Sequence, residues 1–321
     1  MKNKPILIVA GEPKSIFFEI FFKSLRLNKF KSPLILISSL KILKSQIKKN
    51  KYKKKIKLIN TNELKKLKID NNYINLINVN YNSKDKSKSQ SIETSSYLQK
   101  CFKIAYNILK MKISYKLLNG PINKSNFLNK KYLGITEFIS KKFKVKKFAM
   151  LIYNKNLSVC PLTTHLPLRQ VTKKINQKLI KEKIKLIDNF YVKNFKFKPK
   201  IGVTGLNPHC ESILKFNEDK KIIYPAINSL KKKGFKIDGP FPADTIFLKQ
   251  NRKKYDVILG MYHDQVLAPL KTLFEYDAIN ITLGLPFLRV SPDHGPNEKM
   301  FNKNLSSPLS LIRAIKFLDQ R

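Results

Sequence analysis

The chain has 321 residues, 42% of them hydrophobic, which is enough for one large or two ordinary α/β domains. Its 65 Lys and Arg residues outnumber 21 Asp and Glu residues, giving a net charge of +44. Such an excess usually suggests a polyanionic partner such as nucleic acid. The lysines, however, are spread through nearly the whole chain together with Asn and Ile. Codon bias toward AT-rich triplets gives this pattern without any ligand, so we favour solvated lysine faces over a nucleic-acid surface.

The cysteines and the N-terminus bear on the cellular compartment. Cys101, Cys160 and Cys210 form no C-x-x-C pair, so neither a disulfide framework nor a cysteine zinc site is predicted. The N-terminal apolar run is too short for a signal peptide, and IFFEIFF falls far short of the ~20 residues that span a bilayer. We therefore expect a soluble, cytoplasmic protein with no membrane segment.

Short apolar runs alternate with amphipathic stretches along the chain. In chain order, the runs that predict buried strands are 5–10, 33–38, 148–153, 157–163, 200–205, 256–261 and 278–284. Apolar residues at helical spacing over 98–109 predict a helix between the second and third of them. The lysine-rich segments 40–70 and 80–95 have weak periodicity and predict surface helices and loops. The alternation is typical of an α/β fold built round a mainly parallel sheet.

The chain has only ten glycines, so their positions are informative. Gly11, Gly205, Gly260 and Gly284 each end a predicted strand, while Gly234 follows a lysine run as a helix C-cap would. Ligands of open α/β sheets bind beyond the carboxyl ends of the strands, so the polar residues after these glycines are candidates for a site. No G-x-G-x-x-G or Walker A sequence is present, which argues against an ordinary Rossmann nucleotide site.

Three of the four histidines follow predicted strands directly. His165 lies in PLTTHLPLRQV, His209 in GLNPHC and His263 in GMYHDQ. One such histidine alone is more often structural than functional. Three at equivalent positions favour a divalent-metal site, because neutral imidazoles that converge on one cleft leave room for substrate as a further ligand.

Charged residues near these histidines are further candidates. Asp264 follows His263, and Asp244 lies in GPFPADT; each would orient a ligating imidazole, enter the metal shell or cap a helix N-terminus. Arg289 stands in the apolar GLPFLRVSPDHGP, where a bidentate contact to an anion would explain it. His294 lies in the same Pro- and Gly-rich stretch, and the sequence leaves both a structural and a functional interpretation open.

The motifs GPINK, GITEF, TTHLPLR, GLNPH, GPFPADT, MYHDQVLAPLK and NITLGLPFLRVSPDHG, in this order, resemble those of the 4-hydroxythreonine-4-phosphate dehydrogenase family of vitamin B6 biosynthesis. The resemblance runs from VAGEP to LIRAIKFL and is weakest at about 40–95. It implies a two-domain α/β/α fold of the isocitrate and isopropylmalate dehydrogenase type, which binds NAD or NADP without a Rossmann fingerprint. The first domain would comprise residues 1–134 and 285–321 and the second residues 135–284, with the active site in the cleft between them.

The family activity implied is NAD(P)-dependent oxidation of 4-hydroxythreonine 4-phosphate to a β-keto acid, 2-amino-3-oxo-4-(phosphooxy)butanoate. This product loses CO2 to give 3-amino-2-oxopropyl phosphate on the route to pyridoxal 5'-phosphate. The resemblance also implies a homodimer with active sites at the subunit interface, where three histidines hold Zn, Mg, Co or Mn. We expect His165 and His209 from one subunit and His263 from the other.

The resemblance also assigns roles to individual residues. The substrate contacts that it carries over are Thr136, Lys271, Asn280 and Arg289. Metal coordination of the substrate hydroxyl would lower its pKa as hydride leaves for the nicotinamide, and Lys271 or Asp264 would relay the proton.

The sequence departs from the family pattern in three places. The family's G-H-T-E-F reads GITEF, so Ile135 replaces a substrate-binding histidine. The glycine-rich run after NPH is replaced by CESILKFNEDKK, and GEPKSIFFEI lacks the usual glycines after the first strand. Ile135 gives weight to a related dehydrogenase of another four-carbon acid phosphate, such as threonate or erythronate 4-phosphate. A basic nucleic-acid-binding protein is a remoter alternative, since the sequence shows no aromatic-interleaved basic platform.

Overall fold

The structure is a computed structural model that describes residues 4–81, 89–123, 127, 134–211 and 216–321. Three parts of the sequence discussed above lie outside these residues: Lys124 of GPINK, 212–215 after NPH, and 82–88 of the lysine-rich region. Within the described ranges, no helix is long and apolar enough to cross a membrane.

The seven predicted strands are all present, each within two residues of its predicted bounds, together with five strands of the described residues that were not predicted. In chain order the strands of the described residues are β1 Ile6–Val9, β2 Leu34–Ser38, β3 Ile56–Leu58, β4 Ile74–Asn78, β5 Lys116–Asn119, β6 Ala149–Tyr153, β7 Ser158–Pro161, β8 Ile201–Thr204, β9 Ile237–Phe241, β10 Val257–Gly260, β11 Ile279–Leu283 and β12 Leu288–Pro292.

Helices connect most of these strands, and the predicted helix over 98–109 lies inside the longest of them. In chain order the α-helices of the described residues are α1 Phe17–Leu27, α2 Leu40–Lys49, α3 Ser89–Lys110, α4 Ile135–Lys142, α5 Leu168–Lys174, α6 Gln177–Phe195, α7 Tyr224–Lys231, α8 Ala243–Ile246, α9 Lys249–Arg252, α10 His263–Phe274 and α11 Leu309–Asp319.

Met1–Ile135 and Pro286–Arg321 form one compact unit. Its strands follow the order β3-β4-β2-β1-β5-β12, and every pair is parallel. All four residues of β1 and all five of β2 are buried. Parallel strands covered on both faces need continuous apolar runs, which is why ILIV and LILI are strong signals in the sequence.

The prediction of surface helices and loops for segment 40–70 is wrong in part. The segment contains α2 but also β3, and β4 follows it with Ile74, Leu76 and Ile77 buried. β3 pairs only with β4, at the edge of the sheet, and its Leu58 side chain is exposed. An edge strand with so little buried surface has no continuous apolar run. Surrounded by lysines, it has no sequence pattern that predicts a strand.

Thr136–Leu285 form the second unit. Its strand order is β11-β6-β7-β10-β8-β9, with β6 antiparallel to both neighbours and the remaining pairs parallel. The mainly parallel α/β fold predicted from the sequence is thus confirmed. Because β7, β10 and β8 are parallel neighbours, their carboxyl ends meet at one edge of the sheet, which we call the histidine edge.

Candidate active site

All three histidines that the sequence singled out lie at the histidine edge. His165 follows β7, and His263 is the first residue of α10, which follows β10. His209 follows β8 in a short 3₁₀ turn, Pro208–Cys210. The edge therefore receives an imidazole from each of three adjacent parallel strands.

His165 and His263 contact each other within one chain. Their ring centroids are 5.7 Å apart, with the ring planes inclined at 40°. Both side chains are partly exposed, at 25% and 34%. Two imidazole nitrogens bound to one zinc ion at about 2.0–2.1 Å leave their ring centres roughly 5 Å apart. The observed spacing of the two rings is thus close to that of two ligands of one ion.

A carboxylate stands on the Nδ1 side of each ring. His263 Nδ1 lies 2.7 Å from Asp264 Oδ1, and His165 Nδ1 lies 3.9 Å from Glu137 Oε1. A carboxylate that accepts a hydrogen bond from Nδ1–H leaves Nε2 as the nitrogen with the free lone pair, the arrangement found behind most ligating histidines. His263 and Asp264 are at the distance for this arrangement, while Glu137 lies near His165 but farther than a direct hydrogen bond.

Glu137 is a site residue that the sequence reasoning missed. The Thr164 hydroxyl donates a hydrogen bond to Glu137 Oε1 at 3.0 Å. Burial raises the pKa of the Glu137 carboxyl, but interactions with His165 and Thr164 outweigh burial and hold that pKa below its ordinary value. The residue stands in the GITEF motif between Thr136 and Phe138, where no local pattern singles it out.

His209 does not join the other two histidines within the chain. Among the described residues, no group of three His, Cys, Asp or Glu side chains has the spacing to hold a metal ion. His209 is exposed and has φ 55°, and Cys210 after it has φ 61°. Non-glycine residues in this left-handed region cost about 1–3 kcal/mol each and cluster at functional sites. The contact between His165 and His263 within one chain suggests an alternative division, in which His209 comes from the other subunit. The division expected from the resemblance, in which His263 does so, stays a prediction.

The strained turn is held by a buried carboxylate. Asp219 is 1% exposed and accepts hydrogen bonds from the backbone N–H groups of Leu206 at 2.7 Å and Asn207 at 3.2 Å. A Cβ on Gly205 would lie 2.6 Å from both the Asp219 carboxylate and the Cys210 thiol. Glycine is therefore needed where β8 ends, because the loop folds back closely onto that point.

The helix-cap interpretation of the two aspartates is wrong. The N-cap residues of α8 and α10 are Pro242 and Tyr262, and Asp244 and Asp264 lie in the first turns of these helices. Negative charge is still favourable there, because the backbone N–H groups of a helix start carry positive partial charge. The Asp264 carboxylate is thus able to orient the ring of the neighbouring His263.

Asp244 lies close to the His209 turn. Burial, the Asp219 charge and, to a smaller extent, the Asp244 charge raise the pKa of the Cys210 thiol to about 11. Carboxylates therefore surround the turn that carries His209, while Cys210 itself stays a neutral thiol at physiological pH.

Two of the four expected substrate contacts lie on one side of the second unit. The Thr136 hydroxyl is 3.3 Å from the hydroxyl of Thr282 in β11. Asn280 shares the same face of β11 because it lies two residues earlier. Its Oδ1 atom is buried and has no hydrogen-bond partner among the described residues. A buried acceptor without a partner is costly, so a ligand donor would find a prepared contact at Asn280.

The other two expected contacts lie in different units. Lys271 is in α10, two turns after the start of that helix. Arg289 lies in β12 of the first unit, where it is 2% exposed and its Nε donates to Asn119 Oδ1 at 2.8 Å. His294 follows β12, with Nδ1 3.0 Å from the Gly295 carbonyl oxygen.

The fold and the histidines at the strand ends are those of an α/β protein with a candidate active site at the histidine edge. The same fold occurs in isocitrate dehydrogenase from Methylococcus capsulatus, with a TM-score of 0.51 and 9% identity over 97% of this chain and 83% of that one. At that identity the likeness shows the fold alone.

Closer similarity identifies the family. The family model described as pyridoxal phosphate biosynthetic protein PdxA matches residues 29–318. A 4-hydroxythreonine-4-phosphate dehydrogenase from Sulfurihydrogenibium sp. is 35% identical over 97% of this chain and 96% of its own length. A D-threonate 4-phosphate dehydrogenase from Salmonella typhimurium is 30% identical over 92% of both chains. The solved structure of a putative 4-hydroxythreonine-4-phosphate dehydrogenase from Salmonella typhimurium has a TM-score of 0.83 and 30% identity, with 99% of both chains covered.

The chain belongs to the PdxA family and is an oxidoreductase. The resemblance inferred from the motifs is therefore confirmed at the level of the family.

Proposed function

We propose that the chain is an NAD(P)-dependent 4-hydroxythreonine-4-phosphate dehydrogenase of pyridoxal phosphate biosynthesis. It oxidises the secondary alcohol of its substrate to 2-amino-3-oxo-4-(phosphooxy)butanoate, which loses CO2 to give 3-amino-2-oxopropyl phosphate. The observation that carries this proposal is the carboxylate-backed pair His165 and His263 at the strand ends of a PdxA-family fold. Relatives with this named activity cover nearly the whole chain.

His165 and His263 would hold the divalent ion, which the sequence leaves as Zn, Mg, Co or Mn. When bound, such an ion supplies Lewis acidity to the alcohol that is oxidised. A site with three protein ligands needs one more donor. We assign that donor to His209 of a second copy, because His209 does not join the pair in its own chain.

A homodimer is consistent with the surface of the second unit. Large apolar side chains are exposed there, including Leu168 at 68%, Tyr224 at 53% and Leu248 at 50%. Leu168 begins α5, directly after the loop that carries His165. Exposed large apolar side chains mark interaction surfaces when they form patches, and in this proposal the second copy contacts the loop that carries His165.

The remaining residues bind and orient the substrate in this proposal. Asp264 would accept a hydrogen bond from His263 Nδ1 and so orient that ring. The role of proton relay would then belong to Lys271. The Asn280 carbonyl oxygen would accept a hydrogen bond from the substrate. Thr136 would add a hydroxyl contact, and Arg289 would face an anionic group. The nicotinamide of NAD or NADP takes the hydride.

A reducing compartment is supported by the cysteines. Cys101, Cys160 and Cys210 are all unpaired thiols in the structure, as is usual for proteins of the cytoplasm.

A second candidate function is the oxidation of D-threonate 4-phosphate. It is favoured by the 30% identical relative of that name and by Ile135, which is 8% exposed at the start of α4. An apolar side chain at this point offers no hydrogen bond beside Thr136. A pocket that lacks one polar contact would tolerate a substrate with a different polar group.

The experiment that separates the two functions compares both substrates with purified, metal-loaded protein. NADH or NADPH formation with 4-hydroxythreonine 4-phosphate, at a higher kcat/KM than with D-threonate 4-phosphate, supports the first proposal. The reverse preference establishes the second function, and no turnover of either substrate contradicts both.

The variant Ile135→His tests whether Ile135 decides which of the two substrates is preferred. A recovered hydrogen bond to a charged group is worth roughly 1.5–3 kcal/mol, or about ten- to a hundredfold in KM for 4-hydroxythreonine 4-phosphate. Ile135→Leu, which keeps an apolar side chain, is the matched control. A KM that is unchanged or higher in the histidine variant means that the pocket is adapted to another substrate.

A further inference from the structure

Gln265 joins the carboxyl ends of two strands of the histidine edge. Its Oε1 accepts hydrogen bonds from the Met261 backbone N–H at 2.7 Å and from the Thr204 hydroxyl at 2.7 Å. Its Nε2 donates to the Gly205 carbonyl oxygen at 2.8 Å. Met261 directly follows β10, Thr204 is the last residue of β8, and Gly205 directly follows it. One side-chain amide therefore fixes the distance between these two strand ends.

The other side of Met261 is tied to β7. The Met261 carbonyl oxygen accepts hydrogen bonds from the Thr163 hydroxyl at 2.8 Å and from the Thr163 backbone N–H at 3.3 Å. Thr163, Met261, Gln265, Thr204 and Gly205 thus form a continuous hydrogen-bonded chain across β7, β10 and β8, which we call the strand-end belt.

Each candidate ligand follows a member of the strand-end belt closely along the chain. His165 comes shortly after Thr163, His263 shortly after Met261, and His209 shortly after Gly205. Because only a few residues separate each belt member from the histidine that follows it, a shift of the belt member also moves the imidazole. Metal ligands tolerate deviations of only a few tenths of an ångström.

The sequence around Gln265 is shaped to admit this contact. A Cβ on Gly260 would lie 3.1 Å from Gln265 Oε1 and 2.3 Å from Val266 Cγ1. Glycine at the end of β10 therefore leaves room for the amide to reach back over the strand. Neither the glutamine nor this glycine touches the imidazole rings in any contact described above.

We propose that Gln265 is a positioning residue that sets the relative placement of His263 and the His209 turn through the strand-end belt. The inference rests on the proposed metal centre and deepens it. Gln265 acts through backbone groups and has no part in proton or hydride transfer.

The test compares zinc affinity and histidine NMR signals of three variants with those of the wild type. Gln265→Met keeps the length of the side chain and removes all three hydrogen bonds. Gln265→Glu keeps the acceptor for Met261 and Thr204 but loses donation to Gly205. Asn194→Leu is the matched control, because Asn194 also donates to a backbone carbonyl, that of Phe190. Asn194 lies near the end of α6, which leads into the amino-terminal end of β8 and so to the opposite edge of the sheet.

Zinc affinity is measured by competition with a chromophoric chelator. Gln265→Met is expected to lower it by about ten- to a hundredfold, the usual effect of removing groups that support metal ligands. The zinc affinity of Gln265→Glu should lie between that of Gln265→Met and that of the wild type. Asn194→Leu should bind zinc as the wild type does.

The NMR measurement uses protein labelled only at histidine Cε1, so that the four histidines give four ring C–H signals. Gln265→Met should shift or broaden the signals of His263 and His209 in metal-free protein, with His294 of the first unit as an unchanged internal reference. A general loss of stability would affect His294 as well. If Gln265→Met does not fold, Thr204→Val, which removes one belt contact, takes its place with a smaller effect in the same direction.

The results distinguish this inference from the proposed function. Wild-type protein that binds zinc but oxidises neither substrate contradicts the function, while weaker zinc binding by Gln265→Met still supports the positioning role. Wild-type zinc affinity and four unchanged signals in Gln265→Met would overturn the inference alone. Wild-type protein that binds no zinc would overturn the metal centre and the inference together.

Discussion

The two units use the carboxyl ends of their parallel strands differently. In the second unit, the strand-end belt joins the strand ends at the histidine edge, and the His165 and His263 rings remain partly exposed. In the first unit, polar side chains near the ends of β1 and β5 are turned inward. Asn119 and Arg289 are 3% and 2% exposed and bond to each other, and Glu12 is 8% exposed.

The difference shows how one architecture supports chemistry in one place and stability in another. Polar groups that satisfy each other are removed from water and hold neighbouring strands together. Imidazoles whose Nδ1 sides are backed by carboxylates keep the opposite nitrogen available to a ligand. Mutations at the first edge should therefore change folding stability, with Arg289 also affecting the substrate contact proposed for it, and mutations at the second should change metal binding and activity.

The largest expected effect is the loss of activity in histidine variants. His165→Ala, His209→Ala and His263→Ala should each be inactive as homodimers, because every site lacks a ligand. In mixed dimers of His165→Ala and His209→Ala subunits, one site collects both lesions and the other is intact, so activity should return to at most one site per dimer. Mixed dimers of His165→Ala and His263→Ala should stay inactive.

Activity assays on mixtures shown by native mass spectrometry to contain heterodimers decide between the two divisions of the site. Recovery in the His165→Ala and His263→Ala mixture, with none in the other, would restore the division first expected from the resemblance. No recovery in either mixture would place all three ligands in one chain.

The next largest effect is on the pH dependence of stability through Glu12. Burial raises the pKa of its carboxyl from 4.5 to about 7, with a smaller contribution from the Glu298 charge, against the lowering effect of the Asn123 N–H. Because the folded state binds the proton more tightly than the unfolded state, this stabilisation is complete below pH 4.5 and is lost as pH rises through 7. The rise in pKa corresponds to roughly 3 kcal/mol at most.

Glu12→Gln should therefore be more stable than the wild type at pH 8, with the advantage shrinking toward pH 5. Urea unfolding at several pH values measures the difference, and Glu298→Gln serves as the control with a smaller effect in the same direction. An advantage that is constant across this range would show that the Glu12 carboxyl is ionised in the folded protein.

Arg289→Met tests how much the buried Arg289–Asn119 hydrogen bond of the first unit contributes to stability. Losing the guanidinium leaves the buried Asn119 oxygen without that donor, which should lower the free energy of unfolding by about 1–3 kcal/mol. His263→Ala removes a partly exposed ring and should change it by less than about 0.5 kcal/mol. Denaturation of both variants provides the comparison. Equal stability losses would remove the distinction between the two edges.

The smallest expected effect is that of Thr164→Val. The substitution removes the hydroxyl that holds Glu137 but keeps the shape of the side chain. One neutral-to-charged hydrogen bond of this kind is worth about 1.5 kcal/mol, so zinc affinity should fall roughly tenfold or less. Thr272→Val, which removes a hydroxyl bonded only to a helix carbonyl, is the control and should bind zinc normally.

The sequence by itself determined the interior of both units. Strands such as β1, β2 and β10 are buried along their whole length and must be continuously apolar, so local composition identifies them. The missed strands have few buried residues, as β3 does, or have polar or charged residues among the apolar ones, as β4 does with Asn75. β5 begins with Lys116, which is 1% exposed and donates to Ser32, and β12 contains Arg289. Their partners are far away in the chain, so no local pattern indicates that these charges are buried.

The candidate site divides in the same way. Rarity and position after a strand were enough to single out all three histidines, because both are properties of the local sequence. Which two of them meet was decided by the strand order β7-β10-β8 and by the strained turn at His209. Glu137 and Gln265 are ordinary residues in the sequence and acquire their roles only through Thr164, Met261 and Thr204. The burial of a strand shows in the type of each of its residues. The contacts of Glu137 and Gln265 depend instead on which strands are neighbours, and the order of the strands is fixed only when the whole sheet packs.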